Sequence, residues 1–186
     1  MKKIAIIYAS VDGQTLKISK RISAQLRSKD YVVDMTEITN CNYRLSDYEL
    51  VVIGASIRYG KHAKKVNRFI IENQSFLKTI KTAFFSVNLV ARKSNKNTFD
   101  SNPYVQKFIQ NIGWKPTIID VFAGKLDYDS YPFYDKMLIK IIMKITKGPT
   151  KTNGPLEYTD WNRVDDFIKR LEVLLVDSRT SILSYL

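Results

Sequence analysis

The chain has 186 residues, with 30 lysines and arginines against 18 aspartates and glutamates, and hence a formal charge of +12. Its length suits one domain with a single sizeable core. A lone cysteine, Cys41, and a lone histidine, His62, exclude a disulfide framework, a Cys/His zinc site and an iron–sulfur cluster. The excess positive charge favours an anionic partner: nucleic acid, an anionic membrane or an acidic small molecule.

The N-terminus does not have the pattern of a targeting segment. After Met-Lys-Lys come only six apolar residues, 4–9, which is too short for the apolar region of a signal peptide. No stretch approaches the roughly 18 apolar residues of a membrane span. We therefore expect a protein made and kept in the reducing cytoplasm.

Short apolar runs alternate with segments of helical period along the whole chain. Parallel strands covered on both faces are apolar almost throughout, which predicts a doubly wound α/β fold with a five-stranded parallel sheet of order 2-1-3-4-5. The more polar second run is typical of an edge strand. The predicted strands are 4–9, 31–35, 50–55, 83–87 and 118–123, and the predicted helices are 15–29, 64–73, 103–112 and 160–175.

Two segments do not fit this alternation. Residues 88–102 form a long polar loop after the fourth strand, and residues 124–158 form an insertion before the last helix. Loops this long inside a compact domain are usually functional. We therefore predict one domain over 1–175, including the insertion, followed by a C-terminal tail at 176–186.

Three loops follow the first, third and fourth strands, where such a sheet binds its ligands. The first runs from Ser10 to Thr15 into a helix and contains Gly13, a combination suited to one phosphate monoester. The second offers Tyr59 for stacking on a flat ring, beside two cations. His62 follows it and is predicted to be an exposed loop residue rather than a catalytic base.

Four blocks carry a family resemblance. They read IGASIRYG at 53–60, SVNLVARK at 86–93, YDKMLIKIIMK at 134–144 and YTDW at 158–161. Together with the first loop they resemble the quinone-dependent protoporphyrinogen IX dehydrogenases of haem synthesis, a family of flavodoxin-like proteins. The resemblance implies six-electron oxidation of protoporphyrinogen IX to protoporphyrin IX, with menaquinone or ubiquinone as the acceptor.

The resemblance also implies non-covalently bound FMN, with its phosphate on the first loop and its ring between the second and third loops. Arg58, Arg92 and Lys93 become candidates for stabilising reduced-flavin charge or for holding the substrate propionates. The implied cofactor-binding residues are Ser10, Val11, Asp12, Gly13, Gln14, Thr15, Ser56, Tyr59, Asn88, Leu89, Val90, Ala91 and Arg92.

The insertion contains a predicted amphipathic helix at 134–147. Lys136, Lys140, Lys144 and Lys147 form one narrow stripe among apolar residues, and the helix is too short to cross a bilayer. It suits the surface of an anionic membrane, with the aromatic residues of 128–134 at the headgroup level. We expect peripheral association with the cytoplasmic face of the inner membrane. The alternative is a core helix whose lysine stripe faces water.

Other functions stay open at this point. A flavodoxin-type electron carrier would use the same fold, although such carriers are typically acidic. An NAD(P)H:quinone reductase would use the same cofactor. Nucleic-acid binding has only the charge in its favour, because the cations are scattered and no motif that reads DNA or RNA is present. The sequence does not indicate the oligomeric state.

Overall fold

The computed structural model describes residues 1–176, so all of the predicted tail except Val176 lies outside the described residues. Five parallel strands form a sheet of order β2-β1-β3-β5-β6 in this part of the chain, and the short β4 pairs antiparallel with β3. Counting the parallel strands alone, this confirms the predicted order 2-1-3-4-5. The strands of this sheet are β1 Lys3–Ala9, β2 Val32–Glu37, β3 Leu50–Arg58, β4 Lys61–His62, β5 Lys81–Asn88 and β6 Ile118–Ala123.

Helices cover both faces of the sheet. They are α1 Gln14–Arg27, α2 Lys64–Glu72, α3 Gln74–Leu77, α4 Pro103–Ile112, α5 Phe133–Ile145 and α6 Trp161–Val176. The apolar sides of α1 and α6 share one core cluster, whereas α2 and α4 share the cluster on the opposite face. This explains why four of the five predicted strands are apolar almost throughout: each contributes side chains to both clusters. The predicted edge strand is β2, as its polar residues indicated.

The predicted helices are found with small shifts at their ends. Asp160 caps α6, because its carboxylate accepts hydrogen bonds from the backbone N–H groups of Asn162 and Arg163 at 3.0 and 3.3 Å. The polar segment 88–102 consists of short 3₁₀ turns that lead into α4. Among the described residues, no helix has the length and apolar content needed to cross a bilayer.

The insertion folds on a small core of its own. Strands β7 Lys125–Leu126 and β8 Leu156–Glu157 pair antiparallel at its two ends, and α5 lies between them. Ile139 and Met143 of α5 pack on the rings of Tyr128 and Tyr131. The predicted helix was too long at its C-terminal end. Lys147 lies two residues beyond α5 with a positive φ of 55°, outside the lysine stripe of the helix.

His62 corrects another prediction, because it is buried rather than exposed. The hairpin between β3 and β4 turns the ring inward, where its centroid lies 4.3 Å from that of Phe108, and its Nε2 lies 3.0 Å from the hydroxyl of Ser86. Burial disfavours the charged imidazolium and lowers the pKa of His62 to about 3. The imidazole is therefore a neutral core side chain at physiological pH.

Candidate functional site

One cavity lies at the carboxyl ends of β1, β3 and β5, where the sequence placed the ligand edge. It encloses about 830 Å³ of space when the solvent at its open mouth is counted. All three predicted loops line it, and the insertion adds a fourth wall. Residues far apart in sequence therefore meet around a single site.

The first loop has free donors where a phosphate would bind. Gly13 has a φ of 81° and no side chain caps the start of α1, so the first backbone N–H groups of the helix have no intrahelical partner. The hydroxyl oxygens of Ser10 and Thr15 are buried without a hydrogen-bond partner. Val11, by contrast, is about half exposed. Two unpartnered hydroxyls at a helix N-terminus fit a phosphate monoester.

Gln14 anchors this loop to the far side of the domain. Its side-chain amide donates to the hydroxyl of Thr159 at 2.8 Å, and that hydroxyl donates to the carbonyl of Ala123 at 2.7 Å. The side-chain nitrogen of Gln14 is therefore engaged with Thr159. Thr159 belongs to the YTDW block, whose residues had no predicted role.

An ion-pair cluster lies between the first loop, the second loop and α5. One terminal nitrogen of Arg58 lies 3.4 Å from the carboxylate of Asp12, while the other contacts the carboxylate of Asp135 on α5. The hydroxyl of Tyr59 donates to the same Asp135. Burial raises the pKa of Asp12, against the opposing charges of Arg58 and Lys125. Burial also disfavours the charged form of Arg58, but its carboxylate partners outweigh this and its pKa is raised.

Two aromatic rings lie beside the second loop. Tyr59 adopts a φ of 52° and leaves about half of its surface exposed. Gly60 follows with a φ of 75°, and a Cβ atom there would lie 3.1 Å from the ring of Tyr104. The glycine thus allows Tyr104 to approach the loop closely. Ser56 also lines the cavity, and its hydroxyl donates to the carbonyl of Ala9 at 3.4 Å.

The third loop divides between two cavities. Asn88, Leu89 and Val90 line the main one, whereas Ala91 and Arg92 line a smaller neighbour. The side-chain oxygen of Asn88 accepts from the backbone N–H of Ala91 at 3.0 Å, and its side-chain nitrogen is buried without a partner. Asn88 therefore keeps both N–H donors of its side-chain amide for a ligand.

Arg92 holds the C-terminal end of α5. Its guanidinium donates to the carbonyl of Leu89 at 2.9 Å. It also donates to two acceptors on Thr146, the carbonyl at 3.1 Å and the hydroxyl at 2.8 Å. Lys93 lines neither of the two cavities. Of the three candidate cations, Arg58 is thus the one that lines the main cavity.

Sequence reasoning did not identify several residues of the cavity wall. Their positions after β6, in α4 and in the insertion place them far from the three loops along the chain. The block at 134–144 did mark α5, although it was interpreted only as a membrane segment. The additional lining residues are Tyr104, Gly124, Lys125, Tyr131, Ile139 and Ile142.

The side of α5 that faces away from the domain is apolar. Ile145 is 76% exposed and Ile141 49% exposed, and Tyr134 lies on the same side. Lys140 and Lys144 lie along one edge of this surface. The alternative of a core helix with only its lysines in water is therefore wrong. Of the four aromatic residues predicted at the headgroup level, Phe133 and Tyr134 are exposed, whereas Tyr128 and Tyr131 are buried beneath the helix.

Comparisons with known proteins identify the same fold and give close relatives. The family profile of the flavodoxin domain matches residues 5–153. A protoporphyrinogen IX dehydrogenase [quinone] from Leishmania major is 42% identical over 89% of this chain and 72% of its own length. The protein of the same name from Escherichia coli K12 is 37% identical over 91% of this chain and 94% of its own length.

A solved structure agrees with the fold. Two-electron reduced flavodoxin from Megasphaera elsdenii is similar with a TM-score of 0.51 and 15% identity, over 63% of this chain and 84% of its own. At that identity the likeness bears on the fold alone. The flavodoxin domain, together with the phosphate-binding geometry of the first loop, indicates a flavin cofactor.

Proposed function

Because this chain belongs to the flavodoxin-domain family of quinone-dependent protoporphyrinogen IX dehydrogenases, we propose that it is an oxidoreductase that oxidises protoporphyrinogen IX to protoporphyrin IX and passes the electrons to a quinone. The observation that carries this proposal is the single cavity in which a phosphate-binding loop, two tyrosine rings and the apolar wall of α5 meet. Such a cavity accepts a flat cofactor and leaves a wall for a second flat molecule.

We propose FMN, bound without a covalent bond, as the cofactor. When bound, FMN supplies the redox chemistry, since the described part of the chain contains no cysteine pair or metal-binding cluster that could supply it. The hydroxyls of Ser10 and Thr15 and the N-terminus of α1 would hold its phosphate. The free amide donor of Asn88 would bind a ring oxygen or nitrogen.

The chain's other residues orient the bound molecules and keep water out. Tyr59 and Tyr104 offer ring faces beside the flavin position, and Ile139 and Ile142 of α5 provide an apolar cover. Arg58, one of two cationic residues among residues 1–176 that line the cavity, would attract a carboxylate of the substrate.

We further propose that the protein binds the cytoplasmic face of the inner membrane through α5. Each apolar side chain that passes fully from water into lipid contributes roughly 1.5–3 kcal/mol. Each lysine near an anionic surface adds roughly 1 kcal/mol. The lysines of α5 that would contribute are Lys136, Lys140 and Lys144. One side of α5 would then lie on the membrane while its opposite side covers the cavity. This orientation would bring the cavity close to a quinone dissolved in the membrane.

The membrane proposal is tested by flotation with anionic vesicles. We expect the protein to float with them at low salt, and Ile141→Glu to remove most of the bound fraction. Val173→Glu is the matched control, because Val173 is an exposed apolar residue on α6, away from α5. Wild-type protein that stays in the soluble fraction, or an equal loss in both variants, would contradict the proposal.

The catalytic proposal is tested by an anaerobic assay with protoporphyrinogen IX and a menaquinone analogue, with and without FMN. We expect porphyrin to form only when both FMN and the quinone are present. Porphyrin formation that does not depend on the quinone would contradict the acceptor. Rapid quinone reduction with NADH and no turnover of protoporphyrinogen IX would favour an NAD(P)H:quinone reductase instead.

A further inference from the structure

The contact between Arg58 and Asp135 closes the cavity at one point on its rim. Arg58 comes from the end of β3, whereas Asp135 lies in the first turn of α5, 77 residues later in the chain. Tyr59 adds a second bond to the same carboxylate. The start of α5 is thus tied to the sheet by one aspartate with two partners.

Arg58 presents the chemistry that recognises a carboxylate. Its two terminal nitrogens each contact a different carboxylate, Asp12 and Asp135, and its guanidinium lies 5.7 Å from the ring centres of Tyr59 and Tyr131. A planar guanidinium held between rings is well suited to bind one carboxylate with two parallel hydrogen bonds. Arg58 also lines the cavity in which, under the proposed function, the substrate must lie.

From this geometry we propose that Asp135 occupies the carboxylate position of the substrate on Arg58, and that a propionate group of the tetrapyrrole displaces it on binding. The inference rests on the proposed function, which supplies the propionate. No bond forms or breaks in the exchange. One carboxylate replaces another, so Arg58 stays paired throughout. Asp135 gives up its contacts with both Arg58 and Tyr59, which releases the start of α5 from the rim.

Asp135, rather than Asp12, is the carboxylate that leaves. Asp12 belongs to a short loop between β1 and α1, both of which pack in the main core. Asp135 lies in the first turn of a helix that buries only Ile139 and Met143. Its segment has few buried contacts, and such segments open at low free-energy cost.

The exchange makes Asp135 a specificity-determining residue for acidic tetrapyrroles. Before binding, Asp135 competes with the substrate for Arg58, and a substrate without carboxylates gains nothing from displacing it. Removing the competing charge should therefore strengthen the binding of a diacid and leave an ester unaffected. A role of Asp135 in fold stability alone would not distinguish the two ligands.

The test compares protoporphyrin IX with its dimethyl ester, titrated into the FMN-loaded protein and followed by quenching of porphyrin fluorescence. For Asp135→Asn we expect the diacid to bind about 3- to 5-fold more tightly, as removal of one partly exposed ion pair would give. The ester should bind within about twofold of wild type. Arg58→Gln should weaken the diacid selectively. Asp129→Asn is the matched control, because Asp129 belongs to the same insertion, is exposed, and pairs with Lys136 at 3.5 Å.

Equal tightening by Asp129→Asn, an unchanged or weaker diacid affinity in Asp135→Asn, or tightening for the ester as well would overturn the inference. A second measurement uses the unmodified protein. Amide hydrogen exchange in the first turn of α5 should speed up when the diacid is bound and not when the ester is bound, and equal exchange would also overturn it. Wild-type protein that does not oxidise protoporphyrinogen IX would instead refute the proposed function, so the two failures are distinguishable.

Discussion

Replacing Thr15 with valine should move the stability of the ligand-free protein and its affinity for FMN in opposite directions. The hydroxyl of Thr15 is fully buried in the first turn of α1 and has no hydrogen-bond partner. A buried polar group without a partner costs about 1–3 kcal/mol. Valine has the same shape without the hydroxyl, so it should stabilise the ligand-free protein by about 1 kcal/mol, or roughly 2–4 °C in Tm for a chain of this size.

Under the proposed binding of FMN, the same substitution removes a donor to the phosphate. A hydrogen bond to a charged group contributes about 1.5–3 kcal/mol, and each 1.4 kcal/mol is about a factor of ten in Kd. Thr15→Val should therefore weaken FMN binding by about 10- to 100-fold. Thermal unfolding of the ligand-free protein and titration of FMN by quenching of its fluorescence measure the two effects separately.

Ser19 provides the matched control. Its hydroxyl is also buried without a partner, but it lies one turn further along α1 and does not line the cavity. Ser19→Ala should stabilise the ligand-free protein and leave FMN affinity unchanged. The reasoning fails if Thr15→Val binds FMN within twofold of wild type, or if both variants weaken FMN equally.

Three further predictions concern the fold around the site. A Cβ atom at Gly54 would overlap the ring of Phe85, so Gly54→Ala should cost about 1–3 kcal/mol in urea unfolding, and an unchanged midpoint would contradict this close packing. His62 is neutral in the folded state, with its pKa lowered to about 3 by burial, whereas unfolded histidine titrates near pH 6.5. Only the unfolded state takes up this proton between those pH values, so the free energy of unfolding should fall by about 2 kcal/mol from pH 7 to pH 5. His62→Gln should remove this part of the dependence on pH. Equal slopes of unfolding free energy against pH in the two proteins would refute the burial of a neutral His62. Arg92→Lys cannot reproduce the forked contacts to Leu89 and Thr146, so the C-terminal end of α5 should be held less firmly. Trypsin should then cleave after Lys144 several-fold faster, with FMN affinity unchanged. An unchanged cleavage rate would contradict the anchoring role.

The sheet could be predicted because its strands are local in sequence and apolar on both faces. The first six residues of β3, 50–55, are all buried. The polar residues of β2 identified that strand as the edge of the sheet. The family could be predicted from four sequence blocks, and the relatives confirm it. The phosphate loop could also be predicted, because Gly13 and the hydroxyls beside it lie within one segment of six residues.

Side-chain environments set by distant segments could not be predicted. His62 is buried because the β3–β4 hairpin folds toward Phe108, which lies 46 residues further along the chain. Arg58 and Arg92 looked alike in the sequence, yet one contacts carboxylates at the cavity and the other holds the carbonyl of Thr146. No local pattern distinguishes the two arginines, because Asp135 and Thr146 are both supplied by the insertion. Which residues contact the flavin stays a prediction.

The way the cavity is assembled has a consequence for how the protein acquires its cofactor. Its walls run from Asp12 to Ile142, so most of the chain must be folded before a flavin has a place to bind. Parallel pairing of β1 with β3 already joins segments some 46 residues apart, and such non-local contacts slow folding. FMN would therefore bind late and stabilise only the finished domain, by mass action. In a cell short of flavin, the unfilled protein would spend more time partly open, and its abundance would follow the supply of the cofactor.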